Sequence, residues 1–440
     1  MSDSTPNSTV APKSDVSALS RFIRATELDT RLLGMAGALV LIWVGFHYYG
    51  LFVNGYGAFL TPRNLWNLSV QTASIGIMAT GMVLVIVTRN IDLSVGSILG
   101  FAATVMGVIQ VYGLPQILGL GHPLIWIITG LCGMAVGGLI GALHGWLIGY
   151  LRIPAFIVTL GGLLVWRGAA FLVARGETIS PVDPTFALLG GGPHGAIGAT
   201  GSWIVGLLGC AGLVALILNG RRQRKKFLFP LRPVWAEYLL AGGGCALIIG
   251  AVLLVNAYPW PKGIVAQYAA ARGIEVPEGG LFISHGFAIP VLILIGVAMV
   301  MTFISTRTRF GRYVYAMGGN PEAAELAGIN TRAMTVKLFA LMGTLAGLSA
   351  IVASARLNSA TNSLGELDEL YVIASAVIGG TSLAGGVGTI YGAILGALVM
   401  QSLQTGMVLI GFDAAVQKIV VGAVLVLAVY IDTLYRRGRK

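Results

Sequence analysis

Few side chains in this 440-residue sequence can do acid, base or metal chemistry, and their positions argue against an active site. His47 and His144 each stand in an apolar stretch, with neither the H-E-x-x-H spacing nor a carboxylate at helical distance, while His122, His194 and His285 fall in loops. A single histidine of that kind reads as a hydrogen-bonded packing residue. Carboxylates keep to the edges of apolar runs: Asp92, Glu237, the group Glu366, Asp368 and Glu369, then Asp413 and Asp432. An ion-driven carrier needs a carboxylate or histidine relay at depth, and the spacing offers none. No G-x-x-x-x-G-K-[ST] stretch occurs, and no lysine follows the glycines of 379–388, so the chain does not cradle ATP phosphates itself. Cys132, Cys210 and Cys245 lie inside apolar segments and suit packing better than a zinc set or a disulfide framework. The expectation is a non-enzyme without catalytic residues, metal or cofactor, driven by an ATPase subunit docked on the cytoplasmic face. An ion-gradient carrier is the main rival, and a membrane-embedded transferase a distant third.

Membrane helices must hold these residues. Hydrophobic residues are 56% of the chain and charged ones 10%, with a mean hydropathy of +0.84, whereas soluble domains are about 25% charged. Apolar runs near 32–52, 69–88, 94–113, 124–149, 155–173, 202–219, 237–256, 286–306, 334–354, 370–384, 389–411 and 415–433 predict crossings at about 20 residues each. The weakest are 94–113 and 370–384, and a broken or re-entrant segment lining a cavity suits either. The fold class is therefore an all-α polytopic membrane protein of about 10–12 transmembrane helices. Residues 1–31 read as a disordered cytoplasmic tail, 32–433 as the membrane domain and 434–440 as a basic cytoplasmic tail. With both ends inside, 21 of the 28 Lys and Arg lie on the cytoplasmic side, while the 17 Asp and Glu divide 9 to 8. That asymmetry is specific to cations. The net charge of +11 then needs no nucleic acid, and the run from Arg221 to Lys226 is an orientation signal beside anionic lipid.

Two patterns bear on packing and on a partner. Gly133, Gly137, Gly141, Gly145 and Gly149 recur every four residues and form a helix face that admits another backbone closely. Gly388, Gly392 and Gly396 repeat the spacing; a true repeat would be inverted, and chance alignment explains the likeness equally well. In the 307–337 loop, Asn320 can cap a short helix, Pro321 fits its first position, Glu322 favours the positive end of its dipole and Gly328 permits a left-handed stop.

The stretch from Arg309-Phe310-Gly311-Arg312 through Glu322-Ala323-Ala324 to Gly328 resembles the coupling loop of permeases from ATP-binding-cassette importers. Three further stretches resemble the ribose/xylose/arabinose branch: Gln71-Thr72-Ala73 leading to Gly81-Met82, Ile91 to Ser97, and Glu366-Leu367-Asp368 with Val377 to Gly386. Ile153 to Leu160, Arg167-Gly168, Thr178 to Pro181 and the extra length around 220–233 are similar to the xylose-type members, although the outer segment 257–285 is longer here. The resemblance implies a permease for a monosaccharide, D-xylose first and ribose, arabinose or another small sugar as alternatives. It further implies a separate ATPase, a periplasmic sugar-binding protein, a second copy of the chain and a bacterial inner membrane. Carried onto this sequence, Arg309, Gly311, Arg312, Glu322, Ala323, Ala324 and Gly328 become the coupling element. Gln71, Thr72, Asp92, Thr381 and Ser382 are assigned to the translocation pathway, and Arg356, Glu366, Asp368 and Glu369 to the binding-protein surface.

Overall fold

The computed structural model describes residues 25–27, 29–277 and 279–437. Most of the expected 1–31 tail and residues 438–440 of the basic C-terminal tail lie outside the described residues, and Thr30 and Arg31 already belong to the first helix. Among the described residues, ten helices are long and apolar enough to cross a membrane. In chain order the helices are α1 Thr30–Asn54, α2 Pro62–Val87, α3 Val95–Val108, α4 Leu124–Gly149, α5 Ala155–Ala174, α6 Gly198–Lys226, α7 Val234–Asn256 and α8 Lys262–Arg272. They continue with α9 Ile289–Arg307, α10 Arg309–Gly319, α11 Pro321–Leu326, α12 Thr331–Leu357, α13 Asp368–Ile378, α14 Ile390–Leu409 and α15 Ala414–Arg437.

The two weak crossings resolve differently. α3 runs on through a π-helical stretch, Ile109–Gly113, and a last turn to Leu118, giving one apolar span from Val95 to Leu118 rather than a broken one. α13, by contrast, has only 11 residues, about 16 Å at 1.5 Å per residue, roughly half of a ~30 Å hydrocarbon core. The chain reaches it as non-helical backbone from Asn358 to Leu367, which is tolerable at depth only where protein covers it. Arg167 of α5 supplies part of that cover, since its Nη1 donates to the carbonyls of Asn362 and Leu364 at 2.9 and 2.8 Å.

α2 and α12 form the centre of the molecule: 94% and 78% of their most apolar stretches are buried, against 6% for α1 and 11% each for α6 and α7. Polar contact fixes the α2–α12 crossing, where Ser349 Oγ donates to the Ser74 carbonyl at 2.9 Å and the two hydroxyls lie 2.7 Å apart. α4 packs along α12 through its glycines, with Gly137 and Gly141 against the carbonyls of Gly343 and Phe339. A Cβ at either position would overlap those oxygens. The second glycine series serves the short helix, as Gly392 and Gly396 of α14 lie against Gly379 and Ser375. α4 lies on α12 as α14 lies on α2, and α3 touches α12 as α13 touches α2, the exchange an internal repeat would make.

Candidate functional site

Polar residues gather on one face and in the interior. On the face carrying the 307–337 loop, α10 and α11 form an elbow whose caps are local. Thr308 Oγ1 accepts the Gly311 N–H at 3.2 Å, Asn320 Oδ1 accepts that of Ala323 at 3.0 Å, and Asn330 Oδ1 accepts that of Ala333 at 3.0 Å. Gly328 has φ +82°, the left-handed stop expected from the sequence. α10 is amphipathic and buries Gly311, Val314, Met317 and Gly318. Its last carbonyls face no partner within the helix, and Arg89 satisfies them: Nε donates to Gly318 O at 3.0 Å and Nη2 to Gly319 O at 2.9 Å. Tyr315 Oη donates to Gly388 O at 2.7 Å. The elbow is therefore braced from below by the α2–α3 and α13–α14 connections. Its outer side is open, with Arg309, Arg312, Glu322, Ala323 and Gly328 exposed and Leu326 90% exposed, whereas Ala324 is buried. A cavity of 330 Å³ opens beside it, lined by Arg152, Glu325, Thr331, Arg332 and Thr335 with Ile148 and Gly149.

The others are inside, at separate places, with Thr381 beside Val83 and Gly388 toward the other end of α2 from Gln71. Gln71 Oε1 accepts from Gln401 Nε2 at 2.9 Å and from Thr405 Oγ1 at 3.4 Å, so three side chains from α2 and α14 meet. Thr72 instead donates to the Leu68 carbonyl of its own helix at 2.7 Å. Thr381 and Ser382 are fully buried, and both hydroxyls lack a hydrogen-bond partner. Asp92 is buried as well, 1% exposed, and accepts the Ser94 N–H at 2.8 Å on Oδ1.

His144 is hydrogen-bonded, as expected of a lone histidine on an apolar helix, and its partners link it to a carboxylate from another segment. Its Nδ1 lies 3.2 Å from Ser94 Oγ, which in turn bonds Asp92, and its Nε2 accepts from Trp166 Nε1 at 3.0 Å. Gln401, Thr405 and Trp166 were missed because each is brought in from a distant stretch of chain, whereas Ser94 stands two residues from Asp92. His47 does act in packing, with Nδ1 accepting the Leu60 N–H at 3.2 Å.

On the opposite face, Arg356 in the last turn of α12 and Glu366 are exposed and Asp368 is half-buried. Glu369 is 6% exposed, its Oε2 without a partner, and offers no charge to the rim. Back on the loop face, Glu27 bridges Arg224 at 2.6 Å and Arg232 at 2.9 Å. The Arg224 hydrogen bonds, with help from Arg232, hold its carboxyl down at about 2 against an ordinary 4.5.

A bundle of membrane-crossing helices, with a braced, exposed elbow on one face and a buried polar interior, suits a transporter membrane subunit. The chain belongs to the family described as branched-chain amino acid transport system / permease component, which matches residues 64–429. It is similar to the xylose transport system permease protein XylH of Escherichia coli K12, 35% identical over 93% of this chain and 93% of that protein. Its likeness to XylH of Haemophilus influenzae is 35% over 86% of this chain and 90% of that protein. With the ribose import permease protein RbsC of Escherichia coli K12 it shares 32% over 85% of this chain and 87% of that protein. No solved structure matches.

Proposed function

We propose that this chain is the membrane permease of an ATP-binding-cassette importer for a monosaccharide, D-xylose, in a bacterial inner membrane with both termini cytoplasmic. Ribose, arabinose or another small sugar is the alternative cargo. The observation that carries the reading is the elbow of α10 and α11, capped at each turn, braced by Arg89 and Tyr315, and open to solvent on its outer side. A stub of that kind transmits a push. Arg309, Gly311, Arg312, Glu322, Ala323, Ala324 and Gly328 form the element that an ATPase subunit grips, and the apolar tip Leu326 seats in it. The ATPase supplies the bias between outward- and inward-open states through its own preference for one of them.

Gln71, Asp92, Thr381 and Ser382, joined by Gln401 and Thr405, offer hydrogen bonds to a hydroxylated solute. Thr72 keeps a lesser part because its hydroxyl is engaged with its own helix. Arg356, Glu366 and Asp368 meet a periplasmic sugar-binding protein, where rim charges set encounter and register. Two copies of the chain pair over two ATPase subunits. Replacing Glu322 with Arg places a cation at the positive end of α11 and is expected to abolish ATPase docking while leaving the permease folded. Pull-down of the ATPase by Glu322→Arg permease at wild-type yield, with normal sugar-stimulated hydrolysis, would refute the assignment.

A further inference from the structure

The interior holds a one-way hydrogen-bond chain. Trp166 can only donate, so His144 Nε2 is an acceptor and the imidazole proton resides on Nδ1. Nδ1–H then points to Ser94 Oγ, and the serine hydroxyl donates in turn to Asp92 Oδ1. Three segments from α3, α4 and α5 take part. Gly162 makes the arrangement possible, because a Cβ there would run into the imidazole. The result saturates one oxygen of Asp92 and leaves Oδ2 buried without a partner.

A second orphan lies close by. Glu369, in the first turn of α13, sets its carboxylate against Gly96 in the first turn of α3, and its Oε2 is also buried and unpartnered. Arg167 of α5 has its Nη1 engaged by the Asn362 and Leu364 carbonyls. Buried carboxylate oxygens without donors are costly unless a donor arrives.

Resting on the sugar-import reading, we propose that Asp92 Oδ2 and Glu369 Oε2 are paired acceptors for the hydroxyls of a neutral polyol, with Trp166, His144 and Ser94 as positioning residues. A neutral polyol can bring hydroxyls to these two unpartnered carboxyl oxygens without carrying a further charge into the interior. Glu369 thereby has a role inside the protein and not on the receptor-facing rim.

The test uses the permease reconstituted with its ATPase and sugar receptor, following D-xylose uptake and ATP consumption together. Asp92→Asn and Glu369→Gln are expected to lower uptake about tenfold while receptor-stimulated hydrolysis stays within about twofold, so more ATP is used per sugar. Ser94→Ala and His144→Ala lower uptake by about threefold, and Ser94→Thr, which keeps the hydroxyl, restores it. Should Asp92→Asn fail to assemble, Glu369→Gln and the Ser94 pair carry the test. Unchanged uptake per ATP in Glu369→Gln and Ser94→Ala overturns the acceptor pair. Absence of receptor-stimulated hydrolysis in the wild type instead overturns the import reading, so the two failures are told apart.

Discussion

The elbow on the loop face and the acceptor pair in the interior are polar regions built in opposite ways. Each N-cap of the elbow is made within three residues of the chain, by Thr308 and Asn320, and of the residues assigned to the partner Arg309, Arg312, Glu322, Ala323 and Gly328 stand in water while Gly311 and Ala324 are buried. In the interior, the link from Ser94 to His144 spans 50 residues and that from Gln71 to Gln401 spans 330. A surface meant for another protein can be specified locally because its partner completes it. A path for a solute has to be assembled from several helices, and it fails if any helix shifts.

Substitutions sharpen that contrast, beginning with the most damaging. Gly141→Val in α4 forces a side chain into the Phe339 carbonyl, and a backbone atom cannot give way. Overpacking of this kind costs about 1–3 kcal/mol or more, and loss of the monodisperse species in detergent gel filtration is expected. The matched change Gly161→Val in α5 meets open space and should leave the elution profile alone. Equal damage from both would mean that close approach of α4 to α12 is not what the glycine face provides.

Next comes the brace. Arg89→Ala leaves the Gly318 and Gly319 carbonyls without their donor. Charged hydrogen bonds are worth about 1.5–3 kcal/mol, so receptor-stimulated hydrolysis should fall roughly tenfold while the protein stays folded. Asn320→Ala removes one N-cap, about 1 kcal/mol, and should weaken ATPase binding about fivefold in a titration. A larger effect from Asn320 than from Arg89 would locate the stiffness in α11 rather than beneath it.

The smallest effect concerns Glu27. Its carboxyl titrates lower in the folded chain than its ordinary 4.5, so the stabilisation is present in full above that value and is lost as pH falls toward about 2. Glu27→Gln should lower the melting temperature slightly at pH 6, with the difference from wild type shrinking toward pH 3. An exposed pair of this kind contributes little.

The same division explains what the sequence could tell. The α11 helix was readable from Asn320, Pro321 and Gly328 because caps and stops act on neighbouring residues. The glycine face of α4 was readable from its period, but its partner α12 was not, since periodicity names a face and not what covers it. The short connection from Thr88 to Ser94 made the following crossing look interrupted, and the π-helical stretch that carries it to Leu118 has no sequence signature of comparable strength. Glu369 looked like a rim charge because Glu366 and Asp368 stand beside it, yet the α13 turn directs it inward against Gly96. His144 looked solitary because its carboxylate, Asp92, lies in the connection between α2 and α3 and is reached through Ser94.

The most direct test of the central claim, that this permease has no engine of its own, is D-xylose accumulation in vesicles. Vesicles holding the permease with its ATPase and receptor should concentrate the sugar only when ATP reaches the ATPase. Uphill accumulation by the permease alone, on an imposed proton or sodium gradient, would contradict it.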